Sequence, residues 1–209
     1  MTCPAPEAFE RATLREAPRA VEARVEGSLI AIYIERQRYE VPFKLVKGTE
    51  HISAPADLHP ALRALGVEAD LAPDGVRIRR DGMWGLLAAA VEQAVRRGEP
   101  PQLPPGVSLL SARPEARHYV FLAEAEDGRY VYSVLYAEGS SGGRRWTAMG
   151  GKVMRSGKVQ LKHAERRVAE THVEAISALT GRRAEVKRKP SGIWYFWLYG
   201  SDLERLGAG

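Results

Sequence analysis

The feature that most constrains this chain is the run Gly98-Glu99-Pro100-Pro101-Gln102-Leu103-Pro104-Pro105-Gly106 near its midpoint. Proline lacks the amide donor and fixes φ, so neither a helix nor a central strand can pass through such a run. It reads as a semi-rigid linker, taken as residues 98–117, between an N-terminal half (1–97) and a C-terminal half (118–209) of similar length. A chain of 209 residues with 44% hydrophobic and 27% charged side chains suits one sizeable packed domain or two small ones.

The two halves differ in charge. Residues 1–110 hold 14 Lys and Arg against 15 Asp and Glu, whereas residues 111–209 hold 17 against 11. Between Arg144 and Lys189 there are 13 basic side chains and four acidic ones. That asymmetry is the electrostatic footprint of a polyanion binder. No segment approaches the roughly 18 apolar residues of a membrane span, and no signal-peptide core opens the chain. Cys3 is the single cysteine, which excludes an internal disulfide and a multi-cysteine zinc site, so the expected location is cytoplasmic. Asparagine is absent and arginine outnumbers lysine about three to one, a composition of thermophile type.

Periodicity predicts an ordered series of elements in each half. In the first, Glu7 to Arg24 has helical character, and residues 28–35 and 38–46 read as two β-branched and aromatic strands. Asp57 is placed to cap a helix carrying Leu58, Ala61, Leu62 and Leu65 and closed by Gly66. Pro73-Asp74-Gly75 turns a second hairpin, and a helix follows from Met83 to Arg97. In the second half, strands over 146–153 and 158–162 flank Arg155-Ser156-Gly157. An amphipathic helix runs from His163 to Leu179 and closes at Gly181. A hairpin turns at Pro190-Ser191-Gly192, and Ser201 with Glu204 has capping-box spacing. The expected fold is α+β: two related αββαββα-like halves about a pseudo-two-fold axis, with antiparallel sheets and helices on one face.

Each half opens a strand pair with the same tripeptide, Glu26-Gly27-Ser28 and Glu138-Gly139-Ser140. The segment Val131-Tyr-Ser-Val-Leu-Tyr-Ala-Glu138-Gly139, with small residues at Ser133 and Ala137, resembles the LAGLIDADG homing-endonuclease motif. The resemblance implies that residues 131–138 are a helix packed on its counterpart. It also implies that Glu26 and Glu138 are catalytic carboxylates holding Mg²⁺ over the scissile phosphates. Hard oxygen ligands suit that ion, and two metals stabilise attacking and leaving oxygens. A competing local signal is Asp127-Gly128 after His118-Tyr-Val-Phe-Leu-Ala, which reads as a β-hairpin and makes 130–136 a strand.

The basic candidates for nucleic-acid contact are Arg144, Arg145, Lys152, Arg155, Lys158, Lys162, Arg182, Arg183, Lys187, Arg188 and Lys189. The Gly-rich loop Ser140 to Arg145 can present amides and two guanidiniums to a phosphate backbone. Trp146, Trp194 and Trp197 are candidates for stacking on bases. In Ile193-Trp-Tyr-Phe-Trp-Leu-Tyr199, strand alternation puts Ile193, Tyr195, Trp197 and Tyr199 on one face. The five histidines show no metal spacing, and His172 falls on an apolar helix face as a satisfied core histidine. The function expected is nucleic-acid binding, DNA favoured over RNA, through the C-terminal half. The alternative is a non-enzymatic interaction protein whose basic face meets an acidic protein partner or the ribosome.

Overall fold

A computed structural model describes residues 20–139 and 142–207. Its described residues form thirteen strands and four α-helices, with every strand pairing antiparallel. The chain divides into two compact units between Pro104 and Pro105. Only the first part of the expected linker connects them, because Val107–Arg113 is already a strand of the second unit.

In the first unit, β1 (Val21–Glu26), β2 (Leu29–Ile34) and β3 (Gln37–Pro42) form a meander. Glu26 pairs with Leu29, which leaves Gly27 and Ser28 as a two-residue turn with Gly27 at φ +61°. That backbone conformation is the one glycine adopts without cost. The expected helix over Glu7 to Arg24 lies mostly outside the described residues. From Val21 onward the chain is strand instead. A second sheet has the order β4-β6-β5, with β4 (Ile52–Ala54), β5 (Asp70–Ala72) and β6 (Gly75–Ile78). Asp57 sits inside a 3-10 turn, Ala56–Leu58, and not at the cap of α1 (His59–Ala64).

The helix α2 (Arg80–Arg96) is apolar on almost every side and buries Met83, Trp84, Leu86, Leu87 and Val91. Its Gln93 reaches the first sheet. The side-chain oxygen accepts from the Ala23 amide at 2.8 Å, and the side-chain nitrogen donates to the Val21 carbonyl at 3.1 Å. One amide thereby satisfies two backbone groups of the edge strand β1, which a sheet edge otherwise leaves open.

The second unit is built differently. One seven-stranded sheet has the order β12-β13-β11-β10-β9-β8-β7, so the expected duplication of one unit is not seen. Its strands are β7 (Val107–Arg113), β8 (His118–Ala125), β9 (Gly128–Glu138), β10 (Arg144–Lys152), β11 (Val159–His163), β12 (Lys187–Arg188) and β13 (Trp194–Leu198). Residues 131–138 are therefore strand, as the Asp127-Gly128 turn signal predicts, and not the helix of the endonuclease motif. Strand alternation sends Val131, Met149, Leu161, Phe196 and Leu198 to one face. There α3 (Arg166–Thr180) lays Val168, Ala169, Val173 and Ile176 on them. Gly181 ends α3 at φ +70°, the left-handed C′ position. The last described element is α4 (Gly200–Gly207). Among the described residues no helix is long and apolar enough to cross a membrane.

Candidate functional site

Glu26-Gly27 and Glu138-Gly139 each follow the first strand of a β-hairpin, which explains their recurrence through turn chemistry. Glu26 ends β1, where it accepts from the Tyr33 hydroxyl and from Arg38, and those two bonds hold its carboxyl below the usual range. Glu138 ends β9 and pairs with Arg167 at 2.6 Å. Both carboxylates are paired with an arginine at a strand end. Among the described residues no cluster of three or more His, Cys, Asp or Glu is poised for a metal ion. Glu26 and Glu138 thus end strands, not the helices from which the resemblance implies that they would hold Mg²⁺.

The structure sorts the basic candidates into distinct groups. Arg145 pairs with Glu165 at 3.0 Å and Lys152 with Asp127 at 3.5 Å. Arg155 lies in the exposed turn between β10 and β11, and Arg183 is exposed just beyond Gly181. Arg144 opens β10 at the opposite end of the sheet from that turn. The remaining cations gather round β13.

Cross-strand register places Lys187, Tyr195 and Lys162 in one row across β12, β13 and β11, with Trp197 opposite Gln160 in the next. Directly opposed residues share a face, so Tyr195, Trp197, Lys162 and Lys187 project away from α3. Further along the same face, in β8 to β10, Tyr119, Phe121 and Trp146 are fully buried. Trp146 therefore offers no surface to a base. At β13 the face opens: Tyr195 and Trp197 are half-buried and Tyr199 is 40% exposed. Lys158 lies 5.2 Å from the Tyr199 ring centre and Lys189 lies 5.5 Å from that of Tyr195. Neither lysine has an acidic partner among the described residues, whereas Lys187 leans on Glu185 at 3.1 Å. On the α3 side, Trp194 carries two guanidiniums, Arg166 at 5.2 Å and Arg188 at 5.5 Å.

Arg182 is held for a structural purpose. Its Nε and Nη2 both donate to the buried Asp202 carboxylate, and Nη2 also donates to the Trp197 carbonyl at 3.0 Å. Asp202, in the first turn of α4, accepts from the Tyr199 amide at 2.8 Å. The capping carboxylate is thus Asp202, and not the Ser201–Glu204 pair that spacing suggests. Burial pushes the Asp202 carboxyl up, but the bonds from Arg182 and Tyr199 outweigh it and hold it below its ordinary value. This bracket fixes the end of β13 and the direction of Tyr199. Asp202→Asn keeps the shape and loses the charge, and is expected to cost about 2 kcal/mol in urea unfolding. Retained stability would mean that Arg182 finds equivalent partners in water.

A buried polar chain links the sheet to α3. His118, Ser133, Thr147 and His172 are each 1% exposed or less. His118 Nε2 lies 2.9 Å from Ser133 Oγ, which lies 2.8 Å from His172 Nδ1. His172 Nε2 lies 2.9 Å from Thr147 Oγ1, and that hydroxyl donates to the Leu135 carbonyl at 3.0 Å. A hydroxyl has one proton, so with both rings neutral the directions are fixed. Thr147 spends its proton on Leu135 and accepts from His172 Nε2–H. His172 Nδ1 then accepts from Ser133, which accepts from His118 Nε2–H. His172 is a core histidine, as its helix position predicts. Its partners show in the sequence only as polar residues at core-facing positions of apolar strands.

Comparison with protein-family models, with curated proteins and with solved structures finds no match to this chain.

Proposed function

We propose that the second unit binds single-stranded nucleic acid across the open face of β11, β13 and β12. The observation that carries the reading is the row Tyr195, Trp197 and Tyr199, partly exposed along one strand and flanked by Lys158, Lys162, Lys187 and Lys189. Aromatic rings grouped with lysines on one partly open strand face are the composition of a single-strand stacking platform. Rings spaced two residues apart match successive unstacked bases, and lysines beside them meet the phosphates. The flat strand face suits splayed bases better than a duplex, whose bases are hidden in the stack.

Titrating the protein with oligo-dT while following tryptophan fluorescence tests the reading. Trp197→Ala is expected to weaken binding by about 1–3 kcal/mol, a factor of roughly 5 to 150. Lys158→Gln with Lys189→Gln is expected to reduce the slope of log K against log salt by about 1.4. Failure of the wild-type protein to bind at low salt would sink the proposal and return the basic face to the protein-partner reading.

A further inference from the structure

The arginines left over from the lysine-rich face collect at the other end of the same unit. An open cleft of about 390 Å³ lies there, lined by Leu135, Tyr136, Ala137, Glu138, Arg144, Arg167 and Thr171. Leu135 and Ala137 are buried and form an apolar floor. Arg144 and Arg167 are exposed and bring guanidiniums from β10 and α3. Thr171 spends its hydroxyl proton on the Arg167 carbonyl at 2.8 Å, so the charged donors lining the cleft are the two guanidiniums. Arg144 has no acidic partner among the described residues and stands 6.0 Å from the Tyr136 ring centre. Arg167 is held by Glu138 at 2.6 Å, a pair whose side chains are 60% and 50% exposed.

We propose that this cleft binds a phosphate monoester, with Arg144 and Arg167 as its ligands and Glu138 as an internal competitor that occupies Arg167 when the cleft is empty. The geometry of a guanidinium fork matches phosphate oxygens in pairs. Arg145, one residue from Arg144, is kept apart from this work by Glu165. Its guanidinium lies over Gly139, where an added Cβ would stand 2.7 Å from the Arg145 Cζ. Glycine at 139 thus lets Arg145 fold back over the loop while Arg144, its neighbour on an alternating strand, lines the cleft. An exposed ion pair contributes little, so an incoming phosphate displaces Glu138 at small cost. The carboxylate then sets a threshold: dianionic phosphate outcompetes it and a monoanion gains less.

This site is independent of the stacking face, and its chemistry is tested without it. Calorimetric titration uses inorganic phosphate, AMP and adenosine as probes, followed by 5′-phosphorylated and 5′-hydroxyl oligo-dT. Phosphate and AMP are expected to bind and adenosine not to. Arg144→Gln and Arg167→Gln should each weaken AMP by roughly tenfold or more, as loss of a charge-assisted bond implies. Glu138→Gln is expected to tighten AMP several-fold, because it frees Arg167. A gain of the 5′-phosphorylated strand over the 5′-hydroxyl one, lost in Arg144→Gln, assigns a strand end. Equal strand affinities with AMP binding intact assign a free mononucleotide. Weaker binding in Glu138→Gln, or no binding of AMP and phosphate at millimolar concentration by either protein, overturns the proposal.

Discussion

Ser133→Ala is expected to destabilise the second unit by about 3 kcal/mol, because each buried polar group deprived of its partner costs roughly 1–3 kcal/mol. The hydroxyl of Ser133 joins His118 Nε2 to His172 Nδ1 inside the interface between the sheet and α3. Alanine removes two bonds at once at a site closed to bulk solvent, since all four members of the chain are 1% exposed or less. Thr147→Ser is the control. It keeps the hydroxyl between His172 and Leu135 and removes one buried methyl, which costs about 1 kcal/mol. Urea unfolding followed by tryptophan fluorescence measures both, since Trp146, Trp194 and Trp197 all lie in this unit. Equal losses in the two variants would mean that the hydroxyl bonds carry no particular weight.

Acidification is expected to unfold the protein through the same chain. Burial pushes the His118 imidazole down to about 4 from an ordinary 6.5, with the charge of Arg113 adding to it. Its Nδ1 is buried without a hydrogen-bond partner, which matches a ring kept neutral with its proton on Nε2. Above pH 6.5 the ring is neutral in both the folded and unfolded chain and contributes no pH dependence. Between pH 6.5 and about 4 the unfolded chain takes up a proton that the folded one refuses, so stability falls as pH falls. At 1.36 kcal/mol for each pH unit, the loss across that window is about 3 kcal/mol. His118→Phe removes the titration while leaving the Ser133 proton on His172, and its stability should decline less over the same window. Parallel pH profiles for the two proteins would show that other groups govern acid unfolding.

The local chemistry of the elements was legible. Prolines 100 to 105 mark the division between units, Asp127-Gly128 marks a hairpin, and Gly181 ends α3, since each acts through its own backbone. The aromatic alternation of β13 was legible too, but which of its two faces packs on α3 was decided by the fold. Pairing of strands distant in sequence was not. The repeated tripeptide suggested a duplication and a shared metal site, yet hairpin turns favour the same glycine wherever they occur. Trp146 and Trp197 read alike in the sequence. Trp146 stands in the middle of the sheet and is buried, whereas Trp197 stands near its edge and is half-open.

The charge asymmetry shows the same division. Composition and order along the chain determined that the second unit is basic and that its last hairpin joins aromatic to basic residues. They could not determine which cations are spent. Arg182 and Arg145 are bound to carboxylates 20 residues away along the chain, and Lys152 to one 25 residues away. Lys158, Lys189 and Arg144 have no acidic partner among the described residues and stand beside aromatic rings. Only tertiary structure decides this, because ion pairing falls off over a few ångströms, and sequence separation says nothing about distance once a sheet has folded.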